Sequence, residues 1–340
     1  MSAAGRAKKV WDSLKGLIVA VVIVLAFIGA LWLYAGVWPP LVVVESNSMQ
    51  HSDTRSYIGV IDTGDLVILK QVGSSSEVRP YLESYPSGYS TYSELGDVIV
   101  YRPLGSDTRT PIIHRAVCRV EYNSTGGGFD VPALRSIPAD MWTVKGDART
   151  WYDIRGTLVL YDMGFNQVEV RINFTTMLSN FAATHIAPHG GFITLGDNNR
   201  GVVDQSSIGG VCWRPVQDDW INGVARGEIP WFGLIKLYVN GQASQVPIPS
   251  NSQTNLLISL GLIIGVPIAI DITTLVLERR GVDVWGRVRQ ALHLPPKKEE
   301  EPEEKAVEEK PKGGKKASSS QKKGGSQQGK GSGSKKKGKR

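Results

Sequence analysis

Cysteine is almost missing from this chain of 340 residues, with only Cys118 and Cys212 present. Two thiols do not complete a four-ligand structural metal site by themselves. They either pair on an oxidising side or stay as separate buried thiols, and spacing alone leaves both open. Histidine is also scarce, with five residues in all. Charge is absent from residues 17–37, and apolar side chains are nearly absent after Pro296. No internal repeat of useful length occurs.

The formal net charge of +7 is unevenly placed. Between Lys297 and Arg340 lie 15 Lys and Arg against 7 Glu, so this tail carries +8 and the rest of the chain about −1. The basic character is therefore a property of the tail and not of the folded part. A tail of Lys, Glu, Pro, Gly, Ser and Gln lacks the apolar surface that offsets ordering entropy, so residues 297–340 are expected to be disordered. Such a tail would touch anionic lipid or ribosomal surfaces, or act only as a solubilising segment. No specific nucleic-acid partner is expected.

The charge-free run, LIVAVVIVLAFIGALWLYAGV, is 21 residues long. At 1.5 Å per residue it reaches roughly 31 Å, enough to cross a hydrocarbon core. Arg6, Lys8, Lys9 and Lys15 precede it and place residues 1–16 in the cytoplasm. A cleaved signal peptide is the rival reading, but its apolar region is shorter and ends in small residues, whereas this one ends at Trp38-Pro39-Pro40. A second apolar run at residues 256–277 contains Pro267 and Asp271 and is followed by Glu278-Arg279-Arg280. Two spans with both termini inside leave residues 38–255 on the extracytoplasmic face of a cell membrane. Residues 278–296 then form a cytoplasmic juxtamembrane segment.

The outer segment reads as mainly β. Residues 65–69, 97–101, 112–117, 192–195 and 234–239 look like strands, separated by Gly, Pro, Ser and Asn clusters. Further hairpin strands are expected between 142 and 174, and a short helix at 179–184. Residues 81–93 and 122–130 read as loops. Asn123-Ser124-Thr125 and Asn173-Phe174-Thr175 fit the N-glycosylation acceptor pattern.

Chemistry in such a segment would centre on Ser48 in Glu45-Ser46-Asn47-Ser48-Met49, about ten residues past the first span. A serine becomes a nucleophile only beside a base that is itself oriented. Of the histidines, His293 falls on the cytoplasmic side. His51 sits in a polar stretch beside Ser48, and His185 and His189 flank a proline. His114 interrupts an apolar strand. Two Gly-Asp segments offer acids: Gly196-Asp197-Asn198-Asn199 with Asp204, and Gly146-Asp147 with Asp153. Spacing alone does not choose between them, and both also read as turns whose side chains satisfy their own backbone.

A membrane anchor, Ser48-Met49, Gly64-Asp65, Gly96-Asp97 opening a strand, Ile113-His114-Arg115 and Gly196-Asp197-Asn198-Asn199 with Asp204 occur in that order. Together they resemble type I signal peptidase, in its archaeal and endoplasmic-reticulum branch, and residues 223–233 are similar to that family's closing strand. The bacterial branch uses a lysine base where this chain has His114. The resemblance implies a β-rich serine peptidase domain between two transmembrane helices that removes signal peptides from secretory pre-proteins without a cofactor. It implies Ser48 as nucleophile, His114 as general base, Asp204 as the orienting acid and Asp197 as support. Backbone N–H groups near Ser48, helped by Ser46, would hold the oxyanion. The strand at residues 96–101 would be the edge that takes up substrate as an added strand. Its partners would be signal peptides, the lipid bilayer and the secretion translocon. The chain departs from the family at Asn47, where a glycine is common, and at Gln50-His51, where a proline is common. The interval between Asp197 and Asp204 is one residue longer. Rival readings are a non-catalytic membrane-anchored β domain that binds or scaffolds, and a serine protease acting on other envelope proteins.

Overall fold

The computed structural model describes residues 3–206, 211–291 and 293. The expected disordered tail at 297–340 lies outside the described residues. The chain divides into two units, residues 1–272 and 273–340.

The first unit opens with helix α1 (Ala3–Ala35), whose stretch Leu17–Ala35 is long and apolar enough to cross a membrane. Strands β1 (Leu41–Val43) and β2 (Leu66–Lys70) follow. Next come a one-turn helix α2 (Tyr81–Ser84) and the small hairpin β3 (Ser90–Thr91) and β4 (Glu94–Leu95). β5 (Val98–Tyr101), β6 (Ile112–Tyr122) and β7 (Phe129–Asp130) follow. β8 (Trp142–Lys145), β9 (Thr157–Met163) and β10 (Val168–Asn173) lead into helix α3 (Phe174–Thr184). Then come β11 (Gly191–Leu195), β12 (Ile221–Ile229), α4 (Leu234–Val239) and α5 (Ser252–Arg279). α5 is the second helix long and apolar enough to span a membrane, and it runs through Pro267. The last turns of α5 belong to the second unit, which also holds α6 (Val284–Ala291).

The fold is mainly β. One antiparallel sheet runs β1-β2-β12-β5-β6-β11, with β7 paired to the far end of β6, and a second runs β10-β9-β8. The main sheet curls, so that β1 at one edge and the start of β6 line the same cleft. β5 is buried along its whole length because β12 and β6 flank it. That corrects the expectation of residues 96–101 as a substrate-binding edge: both sides of this strand are already hydrogen-bonded.

Two further expectations change. Residues 234–239 form a helix, not a strand. Leu234 and Leu237, three residues apart, are both buried and pack with Leu256 of α5, and a six-residue apolar run does not distinguish the two periods by itself. The stretch 81–93 is not all loop, since it holds α2 and β3. The helix expected at 179–184 starts earlier, at Phe174, because the Asn173 side chain accepts from the Thr176 N–H at 2.9 Å and caps it.

α1 delivers the chain straight into the sheet. The carbonyl of Ala35 accepts from the Gln71 N–H at 2.7 Å, just past β2. The Gly-Asp pairs that open β2 and β5 act as braces. Asp65 accepts from the N–H groups of Asp62 and Trp231, and Asp97 from the Arg79 N–H and the Arg226 guanidinium.

Candidate active site

Ser48 lies in a tight turn closed by the Gln50 N–H on the Asn47 carbonyl at 3.1 Å. Its neighbours decide its direction. Met49 is buried in the core beside Val44, Ile61, Val67 and Val98, and Gln50 is tied to Thr63 and Asp53. With Met49 turned inward, Ser48 is left half-buried at the cleft. Its hydroxyl is 3.1 Å from that of Ser46. The Ser48 N–H donates to no protein acceptor among the described residues.

Across the cleft, β6 presents His114, which is only 5% exposed. Its Nε2 is 2.9 Å from Ser48 Oγ and its Nδ1 is 2.7 Å from Asp204 Oδ2. Asp204 opens a 3-10 turn after β11 and is buried. The same carboxylate oxygen accepts from Tyr101 Oη at 2.7 Å and from Thr194 Oγ1 at 2.6 Å. Gln205 completes the network, donating to Thr194 Oγ1 and accepting from its N–H. Burial pushes the Asp204 carboxyl up, but the charge of His114 and these hydrogen bonds outweigh it and hold it below the ordinary carboxylate value. An ionised Asp204 accepts a hydrogen bond from the Nδ1–H of His114. That leaves the Nε2 lone pair facing the Ser48 hydroxyl.

Asp197 does not touch His114. Residues 114 and 115 are consecutive in β6, so their side chains leave the strand on opposite faces, and Asp197 meets Arg115. Two guanidinium nitrogens, Nε and Nη2, donate to its two carboxylate oxygens at 2.8 and 2.7 Å. His51 Nε2 lies 3.1 Å from Asp197 Oδ2. Burial raises the Asp197 carboxyl, yet Arg115 and His51 overcome it and set it below the ordinary range. Arg115 Nη1 meanwhile donates to the carbonyls of Thr91 and Gly96, both at 3.0 Å.

The turn containing Asp197 also holds the serine turn. The Asn198 N–H donates to the Ser48 carbonyl at 2.8 Å, and Asn198 Nδ2 to the Asn47 carbonyl at 3.1 Å. The approach is close enough to require glycine at 196. A Cβ there would stand 2.6 Å from the Ser48 carbonyl oxygen and 2.8 Å from His114 Nε2.

The other Gly-Asp segment lies elsewhere. Asp153 accepts from the Gly128 N–H at 2.8 Å and pairs with Arg155, while Asp147 accepts from the N–H groups of Ala148 and Arg155. Both brace loops around the second sheet. His185 caps the C-terminus of α3, and His189 bonds the Gly190 carbonyl. Cys118 and Cys212 are free and buried. No group of three or more His, Cys, Asp or Glu is arranged to hold a metal ion among the described residues.

Sequence reasoning passed over Tyr101, Thr194 and Gln205 around Asp204, and Arg115 and His51 around Asp197. Gln205 follows Asp204 and Thr194 precedes Gly196 by two, so proximity to the turn was the available signal. Tyr101 had none.

The cleft has a volume of about 730 Å³. Leu41, Val43 and Ser48 line one wall, and Ile112, Ile113 and His114 the other. β1 is an edge strand, and β11 stops pairing with β6 at Arg115, so among the described residues one side of 112–114 has no strand partner. Two rows of free backbone groups therefore border the space beside Ser48. Comparison of the chain with protein-family models, curated proteins and solved structures finds no match.

Proposed function

We propose that this protein is a membrane-bound serine endopeptidase that removes signal peptides from secretory pre-proteins, similar to type I signal peptidase of the archaeal and endoplasmic-reticulum branch. The observation that carries the reading is the unbroken chain Ser48 Oγ, His114 Nε2, His114 Nδ1, Asp204 Oδ2, with links of 2.9 and 2.7 Å. A binding or scaffold domain gives no reason for a buried histidine bridging a cleft serine to an ionised carboxylate.

In this mechanism the Ser48 hydroxyl attacks the scissile carbonyl as His114 Nε2 takes its proton. The tetrahedral oxyanion is held by the free N–H of Ser48, with the Ser46 hydroxyl close by. The imidazolium, steadied by Asp204, then protonates the leaving amine as the C–N bond breaks, which frees the mature chain and leaves an acyl-Ser48. Water attacks that ester with His114 again as base, so one water is consumed and Ser48 regains its proton. No cofactor enters these steps.

The substrate would lie extended along β1 or residues 112–114 and take main-chain hydrogen bonds from these free edges. α1 and α5 would span the membrane, with both termini cytoplasmic and the cleft on the outer side. With α1 in the membrane, the direct join of Ala35 to Gln71 would keep the serine within a short reach of the bilayer, where a signal-peptide cleavage site would emerge. The translocon would then be a neighbour.

The test is cleavage of a radiolabelled pre-protein by the full chain in proteoliposomes, with the product N-terminus sequenced. Cleavage after the signal peptide, lost in both Ser48→Ala and His114→Ala, is the expected result. Intact cleavage in both variants sinks the reading. Cleavage mapped only to sites within mature envelope proteins would turn it to a protease of another substrate class.

A further inference from the structure

We propose that His51 is a positioning residue that ties the nucleophile turn to the strand carrying the base. This rests on the peptidase reading above and extends it to a side chain outside the Ser48–His114–Asp204 chain. His51 follows Ser48 by three residues and is nearly buried, with its side chain 9% exposed. One ring edge meets Asp197 Oδ2 at 3.1 Å. Its face stacks on Phe165, with ring centroids 4.0 Å apart and planes 20° from parallel.

Those two contacts lead to different parts of the fold. Asp197 is held by both guanidinium nitrogens of Arg115, the residue directly after His114 in β6. His51 therefore connects the serine turn, through one carboxylate and one guanidinium, to the backbone that sets the position of the base. Phe165 comes from the turn between β9 and β10, at the tip of a hairpin in the second sheet. That hairpin lies within the long segment separating His114 from the Asp197 turn. Its tip supplies the ring that packs on the imidazole face.

A serine and its base must keep their relative geometry to within a fraction of an ångström for efficient proton transfer. Met49, Gln50 and Asn198 hold the turn against the core and the neighbouring loop. His51 adds a side-chain contact directly to the pair that fixes β6. Charged and titratable groups around it are Asp197 and Arg115 in direct contact or one link away, with Asp62 and Glu94 exerting charge effects nearby. The ring edge has one defined partner in Asp197, and its role is orientation.

The experiment compares wild type with His51→Ala, His51→Gln, Phe165→Ala and Phe165→Tyr in the full chain in proteoliposomes. Hydrogen exchange over residues 46–52 gives a readout independent of catalysis. Loss of the tie is expected to speed exchange there in His51→Ala and Phe165→Ala. It is also expected to lower kcat by about 10–100-fold, with KM moving less than about twofold and thermal stability near that of wild type. His51→Gln, whose amide can donate to Asp197, and Phe165→Tyr, which keeps the stack, should each recover most of kcat. Unchanged exchange and kcat in His51→Ala overturns the proposal, as does a loss that tracks lowered thermal stability. Faster exchange in His51→Ala with a wild type that cleaves nothing would leave the tie standing and defeat the peptidase reading instead.

Discussion

Thr194 Oγ1 stands 2.6 Å from Asp204 Oδ2, the same oxygen that meets His114. The hydroxyl of Tyr101 joins them at 2.7 Å. An acid placed in this way is held ionised, and its geometry is fixed by neighbours that do no chemistry themselves. Asp204→Asn keeps the shape but puts an amide donor against a ring N–H, which favours the wrong tautomer. Cleavage of a signal-peptide substrate should fall by on the order of 10⁴-fold. Asp153→Asn should leave the rate unchanged, because Asp153 bonds Gly128 and Arg155 and has no hydrogen bond to Ser48, His114 or Asp204. Full activity in the first variant and loss in the second would reverse the assignment.

Gly196→Ala places a methyl against the Ser48 carbonyl and His114 Nε2. The first neighbour is backbone and cannot swing aside. A stability loss of about 1–3 kcal/mol is expected from such overpacking, with a larger fall in kcat because the serine and base are driven apart. Thermal unfolding in detergent and cleavage kinetics check both, and an alanine variant with wild-type kcat would refute the tight fit.

Burial pushes Asp62 up to about 6, and Asp65 and Glu228 up to about 7. These carboxyls bind protons more tightly in the folded chain than in the unfolded one. Their contribution to stability is complete below the ordinary carboxylate range and is lost as pH rises through about 6 to 7. Neither carboxylate oxygen of Asp62 has a hydrogen-bond partner among the described residues. Asp62→Asn should therefore gain on the order of 1 kcal/mol over wild type at pH 8 and almost nothing near pH 4. Asp197 and Asp204 run the other way, their values being lowered, so the stability they supply disappears only in more acid solution. A stability difference independent of pH would defeat this account of Asp62.

Burial raises the thiol of Cys118 well above its ordinary value and that of Cys212 to about 11. Neither should react with iodoacetamide at pH 8 in the folded protein, and both should react after denaturation. Intact mass read before and after unfolding settles it. Labelling of the native protein at either position, or a disulfide mass, would contradict the structure.

Much of the molecule was open to sequence reasoning because its signals are local. A charge-free run of 21 residues has few uses besides a membrane-length helix, and α1 and α5 are both long and apolar enough to cross a membrane. The strands at 98–101, 112–122 and 191–195 follow from branched residues between turn clusters. The misses depend on partners far away in sequence. Residues 234–239 are helical because Leu234 and Leu237 meet Leu256. β5 is central because β12, more than a hundred residues later, takes its other side. Tyr101 and Thr194 converge on Asp204 from two strands that are not neighbours in the sheet. His51 read as part of a polar loop because neither Asp197 nor Phe165 is anywhere near it in the chain.

The alternation of β6 carries a lesson about which genetic changes this fold can absorb. His114 serves one face and Arg115 the other, and β5 fixes the frame by pairing Val100 with Ile113 and Ile99 with His114. Replacing a side chain here weakens one partnership at a time. Losing or gaining a single codon between 112 and 115 would exchange the two faces, aiming the guanidinium at the serine and the imidazole at Asp197. Lineages descended from this sequence are therefore expected to keep the count of residues through this short stretch even where single side chains in it are replaced.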